Sequence, residues 1–229
     1  MGLFWKGIPD SVLFSAKMAL GPSFEAIETG TYKGSTAKKL TSIATRVTTI
    51  EANQEFYMKA LKWADKFGNL TLLHGDSGAL IGSALPKVDV NCMVWLDAHY
   101  SGGNTAGEHN RCPLMSELKQ ILPSRTASNT VVLIDDARGL IGASGWPLLS
   151  DLVVLLNEYG FFSIVIDDVL IASSKGSLSI FVENYSKSRT FSFERLGGRM
   201  SLVSGLVGIL GIATRTAFMV KHTRFLFKK

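Results

Sequence analysis

The sequence predicts an α/β fold, with a mostly parallel sheet, helices on both faces and a C-terminal antiparallel hairpin. Three observations carry this. Short apolar runs alternate with helical stretches five times, which is the spacing of βαβ units. The runs are apolar at consecutive positions, as in TVVLIDD, which suits strands buried on both faces. The runs end on acids, namely Glu28, Glu51, Asp76, Asp97 and the pair Asp135-Asp136. Ligands of such sheets sit outside the carboxyl ends of the strands.

Taken in order, Asp10–Leu20 reads as a short amphipathic helix. Asp10 or Ser11 caps it, Gly21-Pro22 stops it, and it packs on the sheet edge as a helix or lid. Phe24–Glu28 is the first strand. Gly30 and Gly34 bracket a turn, and Ser35 and Thr36 open a helix towards Ala44. Glycines let that backbone turn tightly and approach a ligand beside free helix N–H groups. Val47–Asn53 is a β-branched second strand. Gln54–Phe67 is a helix with Phe56, Ala60, Leu61 and Ala64 on one face. Asn69–Asp76 is the third strand, and Ser77–Leu85 a short helix or loop. Asn91–His99 is the fourth strand, followed by the polar loop SGGNTAGEHNR and a helix over Pro113–Leu122. Thr130–Asp136 is the fifth strand, and Pro147–Tyr159 a helix with proline in its first turn. Phe162–Ala172 and Leu178–Asn184, separated by SSKGS, read as the hairpin. The expected organisation is residues 1–22 as an N-terminal helix or lid, 23–190 as the α/β domain and 191–229 as a basic, apolar tail.

The acids divide into two groups. Glu51 lies 21 residues after Gly30, where a carboxylate can accept both hydroxyls of a ribose. The other reading of Glu51, a helix N-cap, falls better to Asn53. Asp76 caps the next helix or reaches an adenine amino group. Glu28 sits under the glycine turn, facing a bound cation or holding turn N–H groups. Asp97, Asp135 and Asp136 come from strands expected to be neighbours. Three converging carboxylates repel unless a cation holds them, and oxygen ligands suit Mg²⁺, Ca²⁺ or Mn²⁺. The alternative is that one caps a helix and the others are solvated. His99, beside this group, is a candidate general base, a fourth metal ligand or a loop residue. Arg138 pairs with the acid pair or with an anionic substrate, and Asp167 and Asp168 are strand-edge or turn residues.

Composition narrows the function. At 46% hydrophobic and 19% charged, the 229 residues can build a full core. The net charge of +5 is uneven, because from Lys187 onward nine Lys/Arg face one acid, Glu194. The remainder is mildly acidic, which argues against nucleic acid as a partner of the domain. Cys92 and Cys112 lack metal spacing and read as reduced thiols of a cytoplasmic protein. No signal peptide or myristoylation pattern is read at the N-terminus.

The stretch ETGTYKGST resembles the E-x-G-x-x-x-G-x-[ST] loop of class I S-adenosylmethionine-dependent methyltransferases. Tyr32 stands where a dinucleotide-binding loop would carry its middle glycine. TIEAN, HGDSG, WLDAH and VVLIDD resemble, in order, the later motifs of that Rossmann-like fold. The resemblance covers about residues 20 to 185. It is closest to the metal-dependent O-methyltransferases of the catechol, caffeoyl-CoA and macrocin types. It implies a cofactor set of Glu28, Gly30, Tyr32, Gly34, Ser35, Glu51, Asp76 and Asp97. It implies Mg²⁺ or another divalent cation on Asp97, Asp135 and Asp136. The catechol and caffeoyl-CoA types place a lysine base where this chain has Tyr100, which leaves His99 as the catalytic candidate. The implied reaction is direct methyl transfer to a hydroxyl of a small molecule or glycan, with a vicinal diol or a sugar hydroxyl suiting a chelating site. Other readings are a same-fold relative with different chemistry and a membrane-associated binding protein without methyl transfer.

The tail SLVSGLVGILGIATRTAFMV, Ser201–Val220, is interrupted only by Arg215 and flanked by Arg195, Arg199, Lys221, Arg224, Lys228 and Lys229. Arg215 is costly inside a bilayer, so a spanning helix ranks below two other readings. One is an interfacial helix on anionic lipid. The other is a helix packed on the domain or on a second copy in a homodimer.

Overall fold

The apolar runs assemble into one seven-stranded sheet. The computed structural model describes residues 7–98, 112–142 and 145–197. The strands are β1 (Glu25–Thr29), β2 (Arg46–Glu51), β3 (Leu70–His74), β4 (Cys92–Leu96), β5 (Thr130–Ile134), β6 (Phe162–Ile166) and β7 (Val169–Ser173). Their order is β3-β2-β1-β4-β5-β7-β6, with β1 to β5 parallel and β7 antiparallel to both neighbours. The chain runs outward from β1 through β2 to β3, then returns to the other side of β1 for β4 and β5. The strand order therefore reverses between β1 and β4, where a sheet of this kind opens a crevice at its carboxyl edge.

The helices are α1 (Asp10–Leu20), α2 (Ser35–Thr41), α3 (Gln54–Ala64), α4 (Ser77–Ala84), α5 (Leu114–Ser124), α6 (Leu149–Glu158) and α7 (Lys175–Gly197). Strand alternation sends successive side chains to opposite faces. Val94, Leu96, Val132 and Ile134 pack against Ile81, Leu118 and Leu152 of α4, α5 and α6. Met93, Trp95, Val131 and Leu133 pack on the other face with Val12 and Ala16 of α1, Leu40 of α2 and Phe181 of α7. Burying each such aliphatic or phenyl side chain is worth about 1.5–3 kcal/mol, so both faces hold the central strands.

Several elements differ from expectation. Helix α1 lies across β4 and β5 on a sheet face, with Val12, Ala16 and Leu20 buried at helical spacing. No side chain caps it; Pro9 precedes it, and Asp10 pairs instead with Lys39 at 2.6 Å. The hairpin lies wholly within residues 162–173. Asp167 and Asp168 form its turn, at φ 49° and 68°, a conformation Asp tolerates better than most residues. Leu178–Asn184 is not its second strand but part of α7. The SSKGS segment opens that helix, since Ser174 Oγ accepts the Ser177 N–H at 3.2 Å. Leu178 and Phe181, three apart, then share the buried face.

The chain divides into two compact units, residues 1–184 and 185–229. The first holds the sheet. Of the second, only the end of α7 lies within the described residues, so the readings of Ser201–Val220 fall outside them. Among the described residues no helix is long and apolar enough to cross a membrane. Cys92 and Cys112 are free and buried, and burial pushes the Cys92 thiol up to about 12.

Candidate functional site

Register places the candidate acids in one row. Thr29 lies level with Ile50 and Leu96, and Leu96 with Ile134. The next residues along these strands are Gly30, Glu51, Asp97 and Asp135, which begin the carboxyl edge. Backbone bonds continue the ladder there: the Gly30 N–H donates to Ile50 O, the Asp97 N–H to Thr29 O and the Asp135 N–H to Leu96 O.

On the β1–β2 side the glycine turn is built from below. Gly30 has φ 83°, and a Cβ there would stand 2.5 Å from the Asp97 carbonyl oxygen. Only glycine allows the β1 loop to cross the end of β4 this closely. Tyr32 also has a positive φ, 46°, which its fixed N–H explains: it donates to Glu51 Oε2 at 2.7 Å. Glu51 Oε1 accepts the Asn53 N–H at 2.8 Å, so this buried carboxylate clamps the turn to the end of β2. Gly34, at φ 74°, precedes α2, and the Trp63 ring of α3 closes over it. Ser35 begins α2.

Glu28 lies beneath the turn, 2% exposed. Thr49 Oγ1 hydrogen-bonds Glu28 Oε2 and Thr31 Oγ1, each at 2.6 Å, making a buried hydroxyl chain. Burial pushes the Glu28 carboxyl up to about 8, against the opposing pull of Thr49 and the Ala37 N–H. It is thus a protonated acid near neutral pH, bracing the turn. Asp76 caps α4 by accepting the Ala79 N–H at 3.0 Å, and Asn53 caps α3 through the Glu55 and Phe56 N–H groups. His74 is exposed, with its ring stacked on Tyr57 at 4.6 Å.

The β4–β5 side is arranged differently. Burial and then the charges of Asp135, Glu28 and Asp136 hold the Asp97 carboxyl well above the usual carboxylate range, with Trp95 opposing. Asp135 and Asp136 are both buried, and Asp135 Oδ1 accepts the Asp136 N–H at 2.9 Å. Asp136 Oδ1 accepts from Arg138 Nη2 at 2.6 Å, and the same guanidinium pairs with Asp168 of the hairpin turn. A small cavity beside these strand ends is lined by Cys112, Pro113, Glu117, Asp135 and Trp146 among others. Glu117 on α5 is 1% exposed.

Glu28, Glu51, Asp97, Asp135 and Asp136 therefore share one edge, as their strand positions require. Among the described residues no three His, Cys, Asp or Glu side chains converge to hold a metal ion. Of the expected centre of Asp97, Asp135 and Asp136, Asp136 is paired with the Arg138 guanidinium. His99 and Tyr100 lie outside the described residues, as does the loop to Arg111. Sequence reasoning did not single out Glu117 of α5 or Trp146, which line the cavity beside the strand ends. It also missed the Thr31–Thr49 chain, whose residues look like ordinary strand threonines.

No protein-family model matches the chain, and no curated protein matches it. Solved structures do. A Streptococcus mutans protein, described as a methyltransferase and solved in complex with SAH, matches with TM-score 0.52 at 15% identity, over 72% of this chain and 99% of that one. The two share a Rossmann-like α/β fold. A precorrin-6y C5,15-methyltransferase of Geobacter metallireducens matches at TM-score 0.49 and 15% identity, over 72% and 87% of the two chains. A Staphylococcus aureus protein described as a caffeoyl-CoA O-methyltransferase matches at 0.48 and 16%, over 73% and 85%.

Proposed function

We propose that this chain is an S-adenosylmethionine-dependent methyltransferase acting on a hydroxyl of a small molecule or glycan. The observation that carries the reading is the glycine turn clamped by Glu51 at the point where strand order reverses. The donor set fits the cofactor. Glu51 offers carboxylate acceptors for ribose hydroxyls. Asp76 and Tyr32 flank that position, and Gly30 keeps the approach open. Bound S-adenosylmethionine would supply a methyl group activated by its sulfonium charge.

This chain's own residues do the rest. The turn and Glu51 fix the methyl donor against β1 and β2, and the β4–β5 edge receives the acceptor, so alignment is set by a rigid sheet. As the hydroxyl attacks, its proton passes to a base at this edge, and Asp97 at the end of β4 is one candidate for it. His99 is the other candidate for that proton. Asp136, paired with Arg138, lends no support to a metal-dependent form of the reaction.

The test is calorimetric titration of S-adenosylmethionine into the full chain, wild type and Glu51→Ala. Micromolar binding by the wild type and at least about tenfold weaker binding by the variant is the expected result. No binding by the folded wild type would overturn the reading.

A further inference from the structure

We infer that Arg138 supplies, from within the chain, the positive charge that Asp136 at the end of β5 requires, so that Asp136 does not serve as a ligand to a divalent cation. The role in methyl transfer rests on the reading above; the exclusion of the ion does not.

The arginine is held as a fixed group. Its Nη2 lies 2.6 Å from Asp136 Oδ1, and Asp136 and Asp168 are nearly buried, their side chains 8% and 11% exposed. Its backbone N–H donates to Asp168 Oδ1 at 2.9 Å, and the Ala137 N–H donates to Asp168 O at 2.8 Å. Asp136 takes a left-handed conformation, φ 53° and ψ 45°, and the chain turns there to bring Arg138 back over it. Two strand connections thus converge on one guanidinium, β5 through Asp136 and the β6–β7 turn through Asp168.

Guanidinium stays charged at any working pH and forms short, directional bonds to carboxylate. A divalent ion seeking Asp136 would have to displace it, then sit beside a like charge. The expected Mg²⁺ position is therefore closed electrostatically by the residue two places after the acid pair. The acceptor then needs no chelating pair of oxygens, so a lone hydroxyl serves as well as a vicinal diol.

Mn²⁺ titration followed by electron paramagnetic resonance tests this on the full chain, with wild type, Arg138→Met, Arg138→Lys and Asp136→Asn. Far-ultraviolet circular dichroism checks folding. We expect no specific Mn²⁺ site in wild type or Arg138→Lys, and a site at least about tenfold tighter in Arg138→Met. Mn²⁺ bound by the wild type and lost in Asp136→Asn would overturn the inference, and needs no arginine variant to fold. A folded Arg138→Met that gains no site would overturn it too, since the arginine would not then be what keeps the ion out. S-adenosylmethionine titration of the same wild-type sample reads the proposed function separately. Absence of cofactor binding there sinks that proposal and leaves the cation result standing.

Discussion

The two halves of the carboxyl edge handle buried acid in opposite ways. On the β1–β2 side, Glu28 and Glu51 are satisfied by neutral donors: threonine hydroxyl for one, and the Tyr32 and Asn53 N–H groups for the other. On the β4–β5 side, Asp97 faces other acids, and the counter-charge on Asp136 is a guanidinium shared with the hairpin turn. The first half is built from residues close in sequence to the turn they hold. The second is assembled from β4, β5 and β6–β7. A backbone-held site can be rigid and specific for one shape, whereas a charge-held site is tuned by which cation stands in it.

The strongest way to break this contrast is Gly30→Val, because Gly30 is where the halves touch. Strain at φ 83° alone costs about 1–3 kcal/mol, and the clash with the Asp97 carbonyl adds to it. Chemical denaturation should show the loss, and cofactor titration should show no binding. Glu51→Gln comes next. It removes the charge from two hydrogen bonds and leaves one N–H facing an amide nitrogen, so cofactor affinity should fall about 10–100-fold by calorimetry.

Glu28→Gln sharpens the comparison through pH. Burial raises the folded-state value from the ordinary 4.5 to about 8, so the folded protein holds this proton longer than the unfolded chain. Its contribution to stability is full below 4.5, falls as pH rises towards 8 and levels off above that. Urea unfolding across that window should show the fall in wild type and a flatter profile in Glu28→Gln. An unchanged slope in the variant would assign the titration elsewhere. The smallest effect is at Asp76. Losing its cap in Asp76→Ala should cost about 1 kcal/mol, which Asp76→Ser restores. Cofactor affinity that serine fails to restore would show contact with the ligand beyond the cap.

Local signals made the first half legible. Gly30, Gly34 and Glu51 carry their meaning in spacing, because a tight turn and a strand-end acid need fixed residue types at fixed separations. Asn53 likewise read as a cap, and Asp76 as a cap or a partner of an adenine amino group. The hairpin misled because apolar residues at 178 to 184 suit a strand or a buried helix equally. A serine cap and the α1 face decided for the helix.

The sequence by itself determined the alternation of strand and helix, the glycine turn and the set of acids at strand ends. These follow from side-chain period and backbone freedom, which act over a few residues. Only the tertiary structure decided which charges meet. Arg138, two residues after Asp136, reads from the sequence as a partner of the acid pair or of an anionic substrate, but that Asp168 joins it depends on β7 inserting between β5 and β6. Coulomb energy depends on distance in space and on burial, and neither is written in the order of the chain.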